Sequence, residues 1–318
     1  MSAPPIGFEA LPLRAATISN LTQLGYTQMT PIQAASLHLT LAGKDVLAQA
    51  STGSGKTAAF GLPLVEKLNP SVSDAQALVL CPTRELAEQV TQEIRRLARA
   101  VGNVKVVTLC GGVALRGQTQ SLEHGAHVVV GTPGRILDHL TRGHLRLDSV
   151  KTLVLDEADR MLDLGFSDDL AEIHRLTAQR HQTLMFSATF APRIQQLAAR
   201  IMRQPRRVQI DTPQEKHASI KQVMFWADNP HHKRQLLDHW LRDTSIDQAI
   251  VFASTQIQCD ALAQDLQQEG FSAVALHGAL SQGLRNRRLM ALREGRVQIL
   301  VATDVAARGI DVPTISHV

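Results

Sequence analysis

Aromatic residues are scarce. Only 3% of the 318 residues are aromatic, among them one tyrosine and two tryptophans. That shortage argues against the extensive base stacking used by single-strand-binding sheets, so a nucleic-acid partner would be held mainly by its backbone. Cysteine is equally thin: Cys81, Cys110 and Cys259 stand far apart, with no CxxC pair and no His–Cys cluster, which speaks against a zinc site or a structural disulfide. No run of eighteen apolar residues occurs, so no spanning helix and no membrane partner are expected. The start, MSAPPIGFEALPLRAA, lacks a basic segment followed by an apolar one, and the compartment reads as cytoplasmic.

What remains is an ordinary globular composition, 44% hydrophobic and 19% charged, at a length that fits two domains. The net charge of +4 is compatible with a polyanionic partner without demonstrating one. Short apolar segments at 46–49, 76–81, 104–110, 127–130, 151–155, 182–186 and 207–210 read as strands, with helical stretches between them. In the stretch 84–100, Leu86, Val90, Ile94 and Leu97 recur at steps of three and four. Such alternation predicts a parallel sheet covered on both faces. A polar stretch beginning DTPQEK, 211–216, reads as a linker. The alternation then restarts, with strands at 220–226, 248–252, 272–276 and 297–301 and helices from about 231, 256 and 282. The fold class is α/β: one domain over 1–210 and a second over 217–318. ISHV at 315–318 reads as the opening of a further strand, which leaves the second domain incomplete at its C-terminus unless it closes on an edge strand.

Residues Ala50, Ser51, Thr52, Gly53, Ser54, Gly55, Lys56 and Thr57 lie between the strand DVLAQ and the helical AAFGLPLVEKL. Glycines let backbone N–H groups wrap a phosphate, and the helix start adds favourable dipole charge. Lys56 would reach the β- and γ-phosphates of a nucleotide and Thr57 would ligate Mg²⁺. A lysine at such a loop is expected to carry little structural burden. KTLVLDEAD, 151–159, places Asp156 and Glu157 at the end of a neighbouring strand, the edge where ligands of open α/β sheets sit. Asp156 suits Mg²⁺, held largely through water, and Glu157 suits the base for an attacking water. Alone, that acidic cluster would read as a helix cap; beside the phosphate loop it reads as catalytic.

Asp156-Glu157-Ala158-Asp159 resembles the namesake motif of the DEAD-box RNA helicases, and further motifs of that family occur in order along essentially the whole chain. GYTQMTPIQ, 25–33, resembles the Q motif, with Phe8 upstream; the resemblance implies that Gln33 hydrogen-bonds adenine and Phe8 stacks on it. Read from its residues alone, TPIQ is a helix start with Pro31 at the first position and Thr30 as its cap. Pro82-Thr83-Arg84, Gly111-Gly112 and Thr132-Pro133-Gly134-Arg135 each follow a strand and open a helix. Singly each is a turn with a cap; as a set they resemble the family's RNA-backbone track. Ser187-Ala188-Thr189 resembles the motif that couples hydrolysis to strand separation, its hydroxyls relaying contacts between Asp159 and the RNA side. In the second domain, VFAST at 251–255, His277-Gly278 with Gln282 and Arg285, and Ala302-Thr303-Asp304 through Asp311 resemble later motifs. They imply RNA contacts from His277, Gly278, Gln282, Arg285 and Thr303, and a ribose contact from Asp311. The family's HRxGRxGR motif does not occur in these residues, and Arg308 belongs to another motif.

The resemblance implies tandem RecA-like domains that bind ATP, Mg²⁺ and RNA and separate short duplexes locally as the two domains close, with weak turnover expected where the last arginines are missing. A nucleotide-dependent RNA clamp without turnover is the alternative. A DNA translocase on the same domain type is a further one, which TPIQ and DEAD argue against.

Overall fold

Strands of four to six residues form where an apolar run can be covered on both faces. The computed structural model describes residues 7–51, 53–210, 221–243, 246–307, 312 and 314–318, which fall into two compact units, Met1–Asp211 and Thr212–Val318. In the first unit the helices are α1 (Ala15–Gln23), α2 (Pro31–Leu41), α3 (Lys56–Lys67), α4 (Arg84–Ala98), α5 (Leu115–Glu123), α6 (Pro133–Thr141), α7 (Ala158–Asp163), α8 (Ser167–Leu176) and α9 (Pro192–Ile201). Its strands are β1 (Val46–Gln49), β2 (Ala77–Leu80), β3 (Val106–Leu109), β4 (Val128–Gly131), β5 (Thr152–Leu155), β6 (Gln182–Ser187) and β7 (Arg206–Gln209).

The seven strands form one sheet in the order β3-β4-β2-β5-β6-β1-β7, every pairing parallel. Alternate residues of each strand feed opposite cores. Val46 and Ala48 pack with Phe60, Ile94 and Phe186 beneath α2, α3 and α4. Leu47, with Leu78, Leu153 and Met185, packs with Ile136, Ile173 and Ile194 beneath α6, α8 and α9. Because all strands run one way, the segments that follow β1, β2, β3, β4, β5 and β6 emerge along one edge.

The second unit carries α10 (Pro230–Leu241), β8 (Ala249–Phe252), α11 (Gln256–Gln268), β9 (Ala273–Leu276), α12 (Gln282–Arg293), β10 (Ile299–Ala302) and α13 (Asp304–Ala307). Its parallel sheet runs β8-β10-β9. The segment read as a further strand at 315–318 makes a single parallel bridge, His317 to Ala249 on the edge of β8. The strand read at 220–226 is corrected: its described residues, 221–226, have no regular structure. Met224 and Trp226 are 81% and 86% exposed, and Phe225 leans on the Trp240 ring at 5.2 Å. An apolar run becomes a strand only against a neighbour's hydrogen-bonding edge, and none among the described residues meets this one. The linker read at 211–216 lies outside the described residues.

Candidate functional site

The loop after β1 turns twice through left-handed glycines, Gly53 at φ +79° and Gly55 at φ +86°, before α3 opens at Lys56. A side chain at Gly55 would be strained by that backbone, and its Cβ would lie 2.6 Å from Gln33 Nε2. Gln33 is buried and doubly engaged. Its Oε1 accepts from the Thr30 N–H at 2.9 Å, and its Nε2 donates to the Gly55 carbonyl at 2.9 Å. One amide therefore caps α2 and holds the phosphate loop. Ala50 N–H donates to Ser187 O at 2.9 Å and Ser54 Oγ to Ser51 O at 2.7 Å, which fixes the loop's near end. Thr52 lies outside the described residues.

Beneath the loop three charges are buried together. Lys56 Nζ stands 2.8 Å from Asp156 Oδ1 and 3.2 Å from Glu157 Oε1, and Lys56 is 5% exposed. Burial presses the Lys56 ammonium down, but the two carboxylates outweigh it and hold its pKa above the ordinary value. Burial raises the Asp156 carboxyl, with Lys56 pulling the other way. Arg160, one turn into α7, donates from Nη1 to Glu157 Oε2 at 2.7 Å, so two cations balance two carboxylates. The sequence reading missed Arg160; its i, i+3 spacing from Glu157 was the available signal. The expectation that Lys56 carries little structural burden is corrected, since removing it would leave the buried Asp156 carboxylate without its cation. Glu157 sits in the left-handed region at φ +54°, a costly conformation for a non-glycine residue and one concentrated at functional sites.

A divalent cation fits here on chemical grounds. Asp156 Oδ2 is buried with no hydrogen-bond partner among the described residues, and Thr57 stands in the first turn of α3. No cluster of three or more His, Cys, Asp or Glu side chains able to hold a metal exists among the described residues. An ion there would therefore take much of its coordination from water and phosphate, as Mg²⁺ does.

Two expectations are amended. Phe8 is 2% exposed and meets Tyr26 edge-on at 6.0 Å, so neither ring face is open, and stacking on a base would require it to leave that packing. Asp159 Oδ1 is buried without a partner among the described residues. Thr189 N–H points to Ser187 Oγ at 3.4 Å, but no hydrogen bond there links Asp159 to either hydroxyl, so the relay read between them is not made in this structure.

Farther along the same edge the segments after β2, β3 and β4 meet. Thr83 caps α4, its hydroxyl accepting from Leu86 N–H, and Pro82 is buried beside it. The Arg84 guanidinium lies so close over Gly112, at φ +69°, that a Cβ there would stand 2.0 Å from Nη2. Arg135 Nη1 donates to the Val113 carbonyl at 3.1 Å. Thr132 N–H donates to Leu109 O at 3.1 Å, tying the start of α6 (Pro133, Gly134) to the strand that precedes Gly111. The three motifs thus form one surface of backbone and guanidinium groups.

In the second unit, His277 and Thr303 end adjacent strands, joined by Thr303 N–H to Leu276 O at 3.2 Å. His277 is buried, with Nε2 2.9 Å from Asp260 Oδ1. Gly278 follows it, and on α12 Gln282 Nε2 donates to Asn286 at 2.9 Å, with Arg285 one turn on. Asp311 and Arg308 lie outside the described residues.

Residues 30–197 match the family model described as DEAD/DEAH box helicase, and residues 232–318 match that of the helicase conserved C-terminal domain. The chain is similar to the ATP-dependent RNA helicase DbpA of Escherichia coli, 47% identical over 96% of this chain and 66% of that protein. It is 43% identical to the DEAD-box ATP-dependent RNA helicase CshA of Geobacillus kaustophilus, over 98% of this chain and 66% of that one. It therefore spans slightly under two thirds of the length of these relatives. Among solved structures, S. cerevisiae Dbp5 bound to RNA and ADP BeF3 superposes with a TM-score of 0.87 at 32% identity, covering 98% of this chain and 79% of that one. A DEAD box protein from Methanococcus jannaschii gives 0.62 at 37% identity, over 96% and 82%.

Proposed function

Because the chain belongs to the DEAD/DEAH box helicase family, we propose that it is the core of an ATP-dependent RNA helicase, coupling ATP binding and hydrolysis to local separation of RNA strands. The observation that carries the reading is the buried Lys56–Asp156–Glu157 cluster under a left-handed glycine loop, on the same sheet edge as the Arg84, Gly112 and Arg135 surface.

In this reading Lys56 exchanges its carboxylate partners for the terminal phosphates of ATP, and the glycine loop supplies N–H donors around them. Glu157, released from Lys56, accepts the proton of the attacking water. Thr57 and the unpaired oxygen of Asp156 would hold Mg²⁺, which supplies charge neutralisation at the β- and γ-phosphates. Gln33, already bound to the loop, reads the adenine edge with its remaining amide capacity. Pro82, Thr83, Arg84, Gly111, Gly112 and Thr132 to Arg135 hold RNA phosphates, joined in the second unit by His277, Gly278, Gln282, Arg285 and Thr303. Contacts to sugar and phosphate make the binding broadly independent of sequence, and the 2′-hydroxyl is what separates RNA from DNA.

The test measures ATP affinity by calorimetry, then hydrolysis without nucleic acid, with single-stranded RNA, and with DNA of matched sequence. RNA-stimulated hydrolysis that DNA does not reproduce supports the reading. Absence of ATP binding overturns it, and nucleotide-dependent RNA retention without hydrolysis would support the clamp instead.

A further inference from the structure

The Gly111–Gly112 turn has no side chains with which to fix its own shape. The carbonyl just before it, on Cys110, is buried and accepts from Gln118 Nε2 at 2.8 Å. Gln118 lies on α5, itself buried, and its Oε1 stands 3.0 Å from His139 Nε2 on α6. A carbonyl can only accept, which orients the Gln118 amide, and its oxygen can likewise only accept, so His139 carries its proton on Nε2. The other ring nitrogen, Nδ1, is buried with no partner among the described residues, and His139 is 0% exposed. The helix that carries His139 is the one that carries Arg135, and Arg135 grips the same turn from its far side through Val113 O.

We propose that Gln118 and His139 are positioning residues of the RNA track: they hold the Cys110 carbonyl so that the 111–113 backbone and the Arg135 helix present one fixed surface to the phosphates, without touching RNA themselves. The proposal rests on the reading of this edge as an RNA track. A turn held by one buried amide is sensitive to that amide, because removing a partner leaves a buried group unsatisfied, whereas removing both costs less. It is also sensitive to acid. The charged groups around His139 are Arg135, Asp138 and Arg142 on its own helix and His144 edge-on at 5.7 Å. The neighbouring helix α5 meets the ring through the neutral Gln118 amide. Burial first, then Arg135 and His144, holds the imidazole below its ordinary pKa. A proton forced onto Nδ1 would find no acceptor and would disturb the pair.

The experiment follows binding of a labelled single-stranded oligouridylate to the 318-residue chain by anisotropy, with ATP affinity measured in parallel. His139→Leu is expected to weaken RNA binding about tenfold, the loss that goes with one buried hydrogen bond left unsatisfied, while ATP affinity is unchanged. His139→Gln keeps a neutral donor toward Gln118. It should hold RNA affinity within about twofold and should lose the parent's extra weakening as the pH falls from about 7.5 to about 4.5, the acid end lying well below the usual histidine value of roughly 6.5 because burial lowers this one. If His139→Leu does not fold, the double variant Gln118→Met with His139→Leu takes its place: neither residue is left facing a lost partner, but the Cys110 carbonyl loses its donor, so RNA binding is still expected to weaken about tenfold. Folded His139→Leu or double variant binding RNA like the parent overturns the proposal, and so does an identical pH profile in parent and His139→Gln. Arg84→Ala and Arg135→Ala serve as controls: if they too bind like the parent, it is the RNA-track reading that fails.

Discussion

The two halves of the first unit's sheet edge handle charge in opposite ways. On the β1–β5–β6 side, Lys56, Asp156 and Glu157 are buried and neutralise one another, with Arg160 closing the set. On the β2–β3–β4 side, Arg84 and Arg135 lie against glycine and carbonyl backbone, partly open to solvent. Buried charges are strongly coupled and suited to chemistry, since a ligand that replaces one partner shifts the others. Partly exposed guanidiniums over backbone, Arg135 also beside Asp138 at 3.7 Å, are suited to a polyanion, where each contact adds a small, salt-dependent increment. The contrast teaches that one parallel sheet can carry both functions, because strand order sorts them to opposite ends of a single edge.

The largest effect is expected from Lys56→Ala, which should abolish ATP binding in calorimetry. It should also lower unfolding free energy by roughly 3–5 kcal/mol in urea titration, the cost of breaking a buried pair. Adding Asp156→Asn should return much of that stability without restoring ATP affinity. Unchanged stability in the single variant would erase the contrast drawn between the two halves. Next comes Glu157→Gln, expected to slow ATP hydrolysis by about 10²–10⁴, the usual contribution of a positioned base, with ATP affinity nearly preserved. A rate close to the parent's would remove Glu157 from the chemistry. Gln33→Ala should then narrow the preference for ATP over GTP by about tenfold and loosen the Gly55 carbonyl it now holds. Equal affinity of the parent for both nucleotides would defeat the base-reading role. The smallest effects belong to the open side: Arg84→Ala and Arg135→Ala should each flatten the salt dependence of RNA binding by about 0.7 in log–log slope. Sequence preference should stay the same, and a shift in it would mean that these guanidiniums reach bases.

Much of this edge was legible in the sequence because its features are local. The strand before Ala50, the glycines that bend the loop and the apolar run before Asp156 are all consecutive residues, and a parallel sheet then aligns their ends. The segment 221–226 has the composition of a strand, yet composition cannot supply the edge that a strand must pair with. Phe8 was legible as an isolated aromatic but not as a ring covered by Tyr26, which stands 18 residues later. The links from Gln118 to Cys110 and from His139 to Gln118 cross between elements, and no spacing rule within one helix could have revealed them. The idle lysine was a misreading of the same kind: its partners lie 100 and 101 residues away.

The placement of the indoles has a practical consequence. Both tryptophans, Trp226 and Trp240, belong to the second unit, while the single tyrosine, Tyr26, lies in the first and hydrogen-bonds Glu93. Emission excited selectively through tryptophan therefore originates in the second unit. Trp226 is 86% exposed and contributes the steadier signal, whereas Trp240, 41% exposed and in ring contact with Phe225 and His239, is the more variable one. The chain thus carries a built-in optical channel for one half of itself, free of any engineered label.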